Sequence, residues 1–400
     1  MAYNFTRSDD KMKRFTNFAL AFTVIGVLAI AGCSPSAPPA DIDTGGDQPA
    51  EQPVDTGDAT TVTPGTASIG SADSGVLFVG TLAPSEYPSW STFMTAEKAG
   101  FIDGAEGRQG TIEKQFNVDI VLDVNDYDTC LQKYGTGTVD AVCITNTDIL
   151  PIAQSRKSTA ICPTSTSDGA DAVIAVGIED IEALKTTTTY GLSKSVSQFC
   201  FVASLKAKGQ DPADFKFENL DPEAAATALQ TGSNDVKSIC VWNPYKMQTL
   251  RQTSGSKDVL NSTAIPEQII DMVVIANETL EQPGGDRFAQ AICATFYEIN
   301  KKLADPQTAD ATATALGEDF SNLSLEDMRR CLTETSFYST PQDGSKLFES
   351  EKFQDTTMPA VVKTCQDIEI LKTGQSPTIG YNDPSQQLNF STKYMKSITN

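Results

Sequence analysis

The segment VDIVLDVNDYDTCLQKYGTGTVDAVCITNTD, residues 118–148, decides the fold. A β-branched run, VDIVLDV, gives way to a helical stretch, DTCLQKYGTG, that glycines close. A second apolar run, VDAVCIT, then ends in Asn146-Thr147-Asp148, where a further helix begins. A short β-rich run, an amphipathic helix and another β-rich run make a βαβ unit, whose crossover leaves its two strands parallel. The same alternation extends in both directions. Toward the N-terminus, GVLFVGTL (75–82) predicts a strand and WSTFMTAEKAG (90–100) a helix stopped by Gly100. Toward the C-terminus, a second set opens near STAICPTS (158–165) and DAVIAVG (171–177). It continues through the strand TTYGLS (188–193), the helix SVSQFCFVASLKAKG (195–209), the strand DFKFENL (214–220) and the helix PEAAATALQTG (222–232). VKSICVW (236–242) is a strand feeding NPYKMQTLRQTS, and IIDMVVIAN (269–277) is a further apolar strand. This order predicts an α/β protein with largely parallel sheets.

After residue 277 the chain turns mostly helical. Phe288, Ile292, Phe296, Ile299 and Leu303 form one apolar stripe. Ser324 with Asp327 caps a second helix carrying Leu325, Met328 and Leu332, and Val361, Val362, Cys365, Ile368 and Leu371 mark a third, stopped near Gly374. These stripes read as core. No period of 20 to 50 residues repeats, which excludes solenoids and propellers.

Length and charge limit the function. Four hundred residues suggest two folding units. With 30 Lys and Arg against 52 Asp and Glu, the net charge of −22 repels a polyanion, so nucleic acid is excluded as a partner. The chain has no histidine. Ser-His-Asp and Cys-His nucleophiles and His-ligated metals are therefore unavailable, and an enzyme would have to work through carboxylates, Lys or Cys. No cofactor and no metal site are expected; CxxC spacings do not occur.

The first 74 residues concern location. Lys11, Lys13 and Arg14 precede an apolar run from Phe15 to Gly32, the layout of a secretory signal, and the run is short and interrupted for a membrane span of ~20 residues. Ile30-Ala31-Gly32-Cys33 resembles the bacterial lipobox, which implies cleavage before Cys33, acylation of that cysteine and anchoring to a bilayer at the cell envelope. Residues 34–74 hold six prolines and seven acidic residues with no Lys, Arg or aromatic, and read as a disordered tether spanning roughly 35 Å. The remaining cysteines, at 130, 143, 162, 200, 240, 293, 331 and 365, permit up to four disulfides. Several lie at apolar positions of predicted elements, where a buried free thiol is an equal reading.

In open α/β sheets ligands sit beyond the carboxyl ends of strands, near helix N-termini. Four junctions carry compatible chemistry: Tyr87 and Trp90 after the first strand; Thr145, Asn146 and Asp148 after DAVCI; Ser193, Lys194, Ser195, Ser197 and Gln198 after TTYG; Trp242, Asn243 and Pro244 after SICV. Both tryptophans of the chain are in this set. Each residue also has a plain structural use: Asn146 or Asp148 can cap a helix, Pro244 suits a first turn, and tryptophans often cover a core.

The order WSTFMTAEKAGFID, DYDTCLQKYGTGTVDAVCITNTDIL, DIEALKTTTTYGLSKSVSQF, VWNPYKMQTL, with Gly137, Val139, Asp140 and Ala141 as its most recognisable part, resembles the periplasmic solute-binding proteins of nitrate, sulfonate, taurine and bicarbonate ABC importers and the related thiamine-pyrimidine binders. The resemblance covers most of residues 75–305. It implies a two-lobed, type II-like periplasmic binding fold with mixed sheets flanked by helices and a helical C-terminal extension. It also implies a small nitrogen- or sulfur-containing solute held between the lobes and an ABC permease as partner. The expected organisation is a signal peptide (1–32), lipidated Cys33 with its tether (33–74), lobe one (75–165), lobe two (166–265) and a return to lobe one with helices (266–400), acting as a monomer. Lys194 or Lys246 could serve an anion, while Tyr87, Trp90 and Trp242 could flank a cation. The rival is an extracytoplasmic enzyme on the same scaffold.

Overall fold

A computed structural model of the chain describes residues 75–372 and 374–398, so the expected signal peptide, Cys33 and the expected tether lie outside the described residues. Thirteen strands form two sheets. They are β1 (Phe78–Ala83), β2 (Val118–Leu122), β3 (Ala141–Thr145), β4 (Ser158–Ser167), β5 (Asp171–Val176), β6 (Thr188–Gly191), β7 (Lys216–Asn219), β8 (Ser238–Trp242), β9 (Ser256–Asn261), β10 (Ile270–Ala276), β11 (Thr335–Phe337), β12 (Ile379–Tyr381) and β13 (Leu388–Phe390).

The first sheet runs β12-β13-β4-β10-β3-β1-β2, with β11 also on β4; the second runs β7-β6-β8-β5-β9. Strands joined by helical crossovers are parallel, as the βαβ reading requires: β1 with β2 and β3, and β6 with β7 and β8. The strands that carry the chain between the sheets are antiparallel to their neighbours. β10 is antiparallel to β3 and β4, and β5 to β8 and β9. The sheets are therefore mixed rather than largely parallel, and β4, placed by its sequence beside the second set, pairs in the first sheet.

Burial follows the expected faces. β3 and β10 are buried along their whole length, as central strands covered on both sides must be. The helix Gly285–Ala304 turns its Phe288, Ile292, Phe296 and Ile299 stripe inward, every one of them fully buried. Ser324 accepts the Asp327 N–H to cap Leu325–Glu334. The third C-terminal helix differs from expectation: it runs Met358–Asp367, entered through a π turn over Lys352–Thr357, and ends before Ile368. Ile368, Ile370 and Leu371 remain buried, but the helical repeat is broken there and Glu369 takes a left-handed φ of 61°.

All eight cysteines in the described residues are buried free thiols. Among the described residues no helix is long and apolar enough to cross a membrane.

The C-terminal helices touch both sheets' flanking helices. On the first-sheet side, Thr95 donates to Asp319 and Lys98 pairs with it. On the second-sheet side, Met247 packs with Leu316, Phe320 and Met328, Gln248 donates to Ser321, and Arg251 pairs with Asp327.

Candidate functional site

The strand ends facing one another between the two sheets enclose a nearly closed cavity. Only about 10 Å³ is open to the centre of a water molecule, room for a single one. Its wall is made by Tyr87, Trp90, Tyr127, Thr145 and Asp271 from the first sheet's side and by Asp171, Val196 and Trp242 from the second's, with Ile269 on the connecting segment.

Four rings line it in sequence. Tyr87 lies 4.9 Å from Trp90, Trp90 stacks on Tyr127 at 5.3 Å with 22° between planes, and Tyr127 meets Trp242 edge-on at 5.9 Å. The contact between Tyr127 and Trp242 is where the ring series passes from one sheet's elements to the other's. Trp90 Nε1 and Tyr87 Oη are buried without a hydrogen-bond partner, a costly condition for polar groups.

Two carboxylates complete the wall, and the antiparallel crossings put them there. Asp171 opens β5 and sits in register with Trp242 at the end of β8; Asp271, near the start of β10, sits in register with Thr145 at the end of β3. Both are buried. Burial pushes Asp171 up to about 6, with Asp148's charge adding and Ser167 and Lys246 opposing. Asp271 is held well above the usual carboxylate range by burial and by Asp171, although Ser165 donates to it at 2.6 Å. Neither carboxylate forms an ion pair among the described residues. Lys246, the cation whose charge reaches Asp171, donates to Gly169 O and pairs with Glu334 at 3.1 Å and Asp258 at 3.3 Å.

Of the residues singled out in the sequence, Tyr87, Trp90, Thr145 and Trp242 line the cavity. Asp148 stands just behind it. It accepts from Tyr127 Oη at 3.0 Å and Thr147 Oγ1 at 3.0 Å, and reaches across to the N–H of Val196, first residue of the helix Val196–Ala207, at 3.4 Å. Burial raises it to about 6 despite those donors. Asn146 is spent on structure: its amide accepts from Ile270 N–H and donates to Gln268 O.

The loop before Val196 is likewise occupied with its own backbone. Ser195 caps the helix by accepting from Ser197 N–H, Gln198 accepts from Lys194 N–H, and Ser193 N–H donates to Asn219. Lys194 is exposed and pairs with Glu369. Asn243 donates to Glu334, and Pro244 follows it through a cis peptide at the start of the helix Tyr245–Gln252. The structure thus does not bring Ser193, Lys194, Gln198, Asn243 or Pro244 to the cavity wall. Sequence reading missed Tyr127, Asp171 and Asp271. The available signal was a lone acid in an otherwise apolar strand, GADAVIAV and IIDMVVIA.

Solved structures match this architecture. The periplasmic aliphatic sulphonate-binding protein SsuA of Escherichia coli aligns at a TM-score of 0.57 with 17% identity, over 74% of this chain and 94% of that one. A putative periplasmic sulfonate-binding protein of Methylobacillus flagellatus KT aligns at 0.58 with 14% identity, over 80% and 93%. The periplasmic nitrate-binding protein NrtA of Synechocystis PCC 6803 aligns at 0.52 with 13% identity, over 73% and 85%. No protein-family model matches the sequence, and no curated protein does. The chain has the α/β fold of periplasmic binding proteins, with mixed sheets flanked by helices.

Proposed function

We propose that the protein is the solute-binding subunit of an ABC importer, lipid-anchored through Cys33 on the outer face of a membrane, and that its two sheets are the cores of two lobes closing on a small molecule. The observation that carries this reading is the cavity walled by rings and carboxylates from both sheets, at strand ends where this fold class binds ligands. The similarity to sulfonate- and nitrate-binding proteins supports it. On this reading the lobe boundaries lie near residues 165 and 265, which the passages of the chain from β4 to β5 and from β9 to β10 support.

The binding reading is favoured over an enzyme because the wall offers no activated nucleophile. Burial pushes the thiol of Cys130 up to about 12 and that of Cys143 well above its ordinary range, and the neighbouring Cys240 thiol, with burial, does the same to Cys200. A thermal-shift screen of small solutes tests the proposal: a true ligand at 100 times its Kd adds about 2.7 kcal/mol to folding stability. Turnover of such a compound by the purified protein would favour the enzyme instead.

Trp242 supplies a ring from the second sheet. Trp242→Ala is expected to weaken solute binding by roughly 1–3 kcal/mol in calorimetric titration, and an unchanged Kd removes that ring from the site.

A further inference from the structure

Resting on that binding reading, we propose that the solute is a small organic cation, an amine or quaternary ammonium, held between Trp90, Tyr127 and Trp242 with Asp171 and Asp271 as its counter-charges, in the space that opens when the facing strand ends move apart from their nearly closed arrangement. Two buried carboxyls on one small cavity are costly to ionise in the empty protein, because each has lost its water and neither has an ion-pair partner among the described residues, and both hold a proton more tightly than usual. A cationic guest supplies the missing charge. The ring faces supply the rest, since an aromatic face attracts a cation and excludes water around its methyl groups.

The same geometry disfavours an oxyanion. Among the described residues no Lys or Arg lines the cavity. The N-terminus of the helix Val196–Ala207, the wall's natural anion acceptor, is already answered by the chain's own Asp148, which reaches the Val196 N–H. A nitrate or sulfonate entering here would meet the charge of Asp171 at close range, and like charges in a dry site repel strongly. Trp90 Nε1, buried and unpartnered, is the neutral donor left for a hydroxyl or carbonyl on the guest.

The two tryptophans of the chain, Trp90 and Trp242, both line the cavity, so intrinsic fluorescence reports this site alone. The experiment titrates the purified protein with choline, tetramethylammonium and ethylammonium, and in parallel with methanesulfonate, taurine and nitrate. A saturable change with at least one of the three cations and none with the anions is expected. Asp171→Asn should weaken that cation's binding by at least about 30-fold while raising the melting temperature of the empty protein at pH 7, because it removes a buried charge that only the guest compensates. Asp271→Asn is a second variant: it should weaken cation binding as well, since only the guest draws the proton off this carboxyl, while the melting temperature of the empty protein changes little. A residue that merely held the fold would lower the melting temperature instead. Saturable binding of methanesulfonate, taurine or nitrate without the cations overturns the charge assignment and leaves the solute-binding reading standing. A flat response to all six compounds, together with a negative solute screen, overturns both.

Discussion

Lowering the pH from 7 to 5 is expected to stabilise the ligand-free protein by about 2–3 kcal/mol, the reverse of ordinary acid behaviour. Asp148 and Asp171 sit at about 6 in the folded state, whereas a carboxylate in the unfolded chain stays near 3.8. Between those values the native state takes up protons that the unfolded chain does not, so folding gains as pH falls through 6. The gain is complete near pH 4, where the unfolded chain protonates as well. Asp271, pushed up further by burial, contributes with the same sign. With no histidine in the chain, nothing else with an ordinary pKa titrates in this window. Urea unfolding at pH 7, 6 and 5 measures the effect. The overall charge of −22 relaxes in the same direction, so the comparison that isolates the site is the Asp148→Asn, Asp171→Asn double variant, whose profile should be flatter. A parent profile that is level or falls toward pH 5 contradicts the buried-carboxylate account.

The second large effect lies away from the cavity, at Glu113. This side chain is buried in the helix Thr111–Phe116 and accepts three backbone N–H groups, from Asp103 at 2.8 Å, Gly110 at 2.5 Å and Ile120 at 2.6 Å. One carboxylate thereby holds the 101–110 loop, its own helix and β2 in fixed relation. Glu113→Ala leaves three donors without an acceptor and should cost about 3–5 kcal/mol. Glu113→Gln keeps one acceptor but turns an N–H toward a donor, and should cost about half as much. Equilibrium urea unfolding followed by circular dichroism, with the slope unchanged, gives both numbers. A loss below 1 kcal/mol for the alanine variant would show that water replaces the carboxylate at no penalty.

The βα alternation was legible because a strand and an amphipathic helix have different periods, and residues 118–148 show both in succession. Strand direction was not, since a β-run reads the same whether its neighbour is parallel or antiparallel. That single ambiguity hid Asp171 and Asp271: only when β5 and β10 run against β8 and β3 do their first residues reach the edge where the other strands end. Tyr87, Trp90, Thr145 and Trp242 could be placed because they follow parallel strands, to which the carboxyl-end rule applies. The polar loop around Ser193 to Gln198 lies off the cavity wall for a different reason. A helix start needs its own acceptors, and Ser195 and Gln198 are consumed in supplying them.

On the solute-binding reading, the links between the helix Val196–Ala207, with the loop before it, and the end of the helix Met358–Asp367 bear on how quickly a guest can leave. Lys206 pairs with Asp367 at 2.7 Å and Lys194 with Glu369 at 3.3 Å, both in contact with solvent. Such bonds are individually weak and are screened by mobile ions. Raising sodium chloride should therefore quicken release of a bound solute several-fold while the sealed interior contacts hardly change, so that salt acts on the rate of opening and not on the fit of the guest.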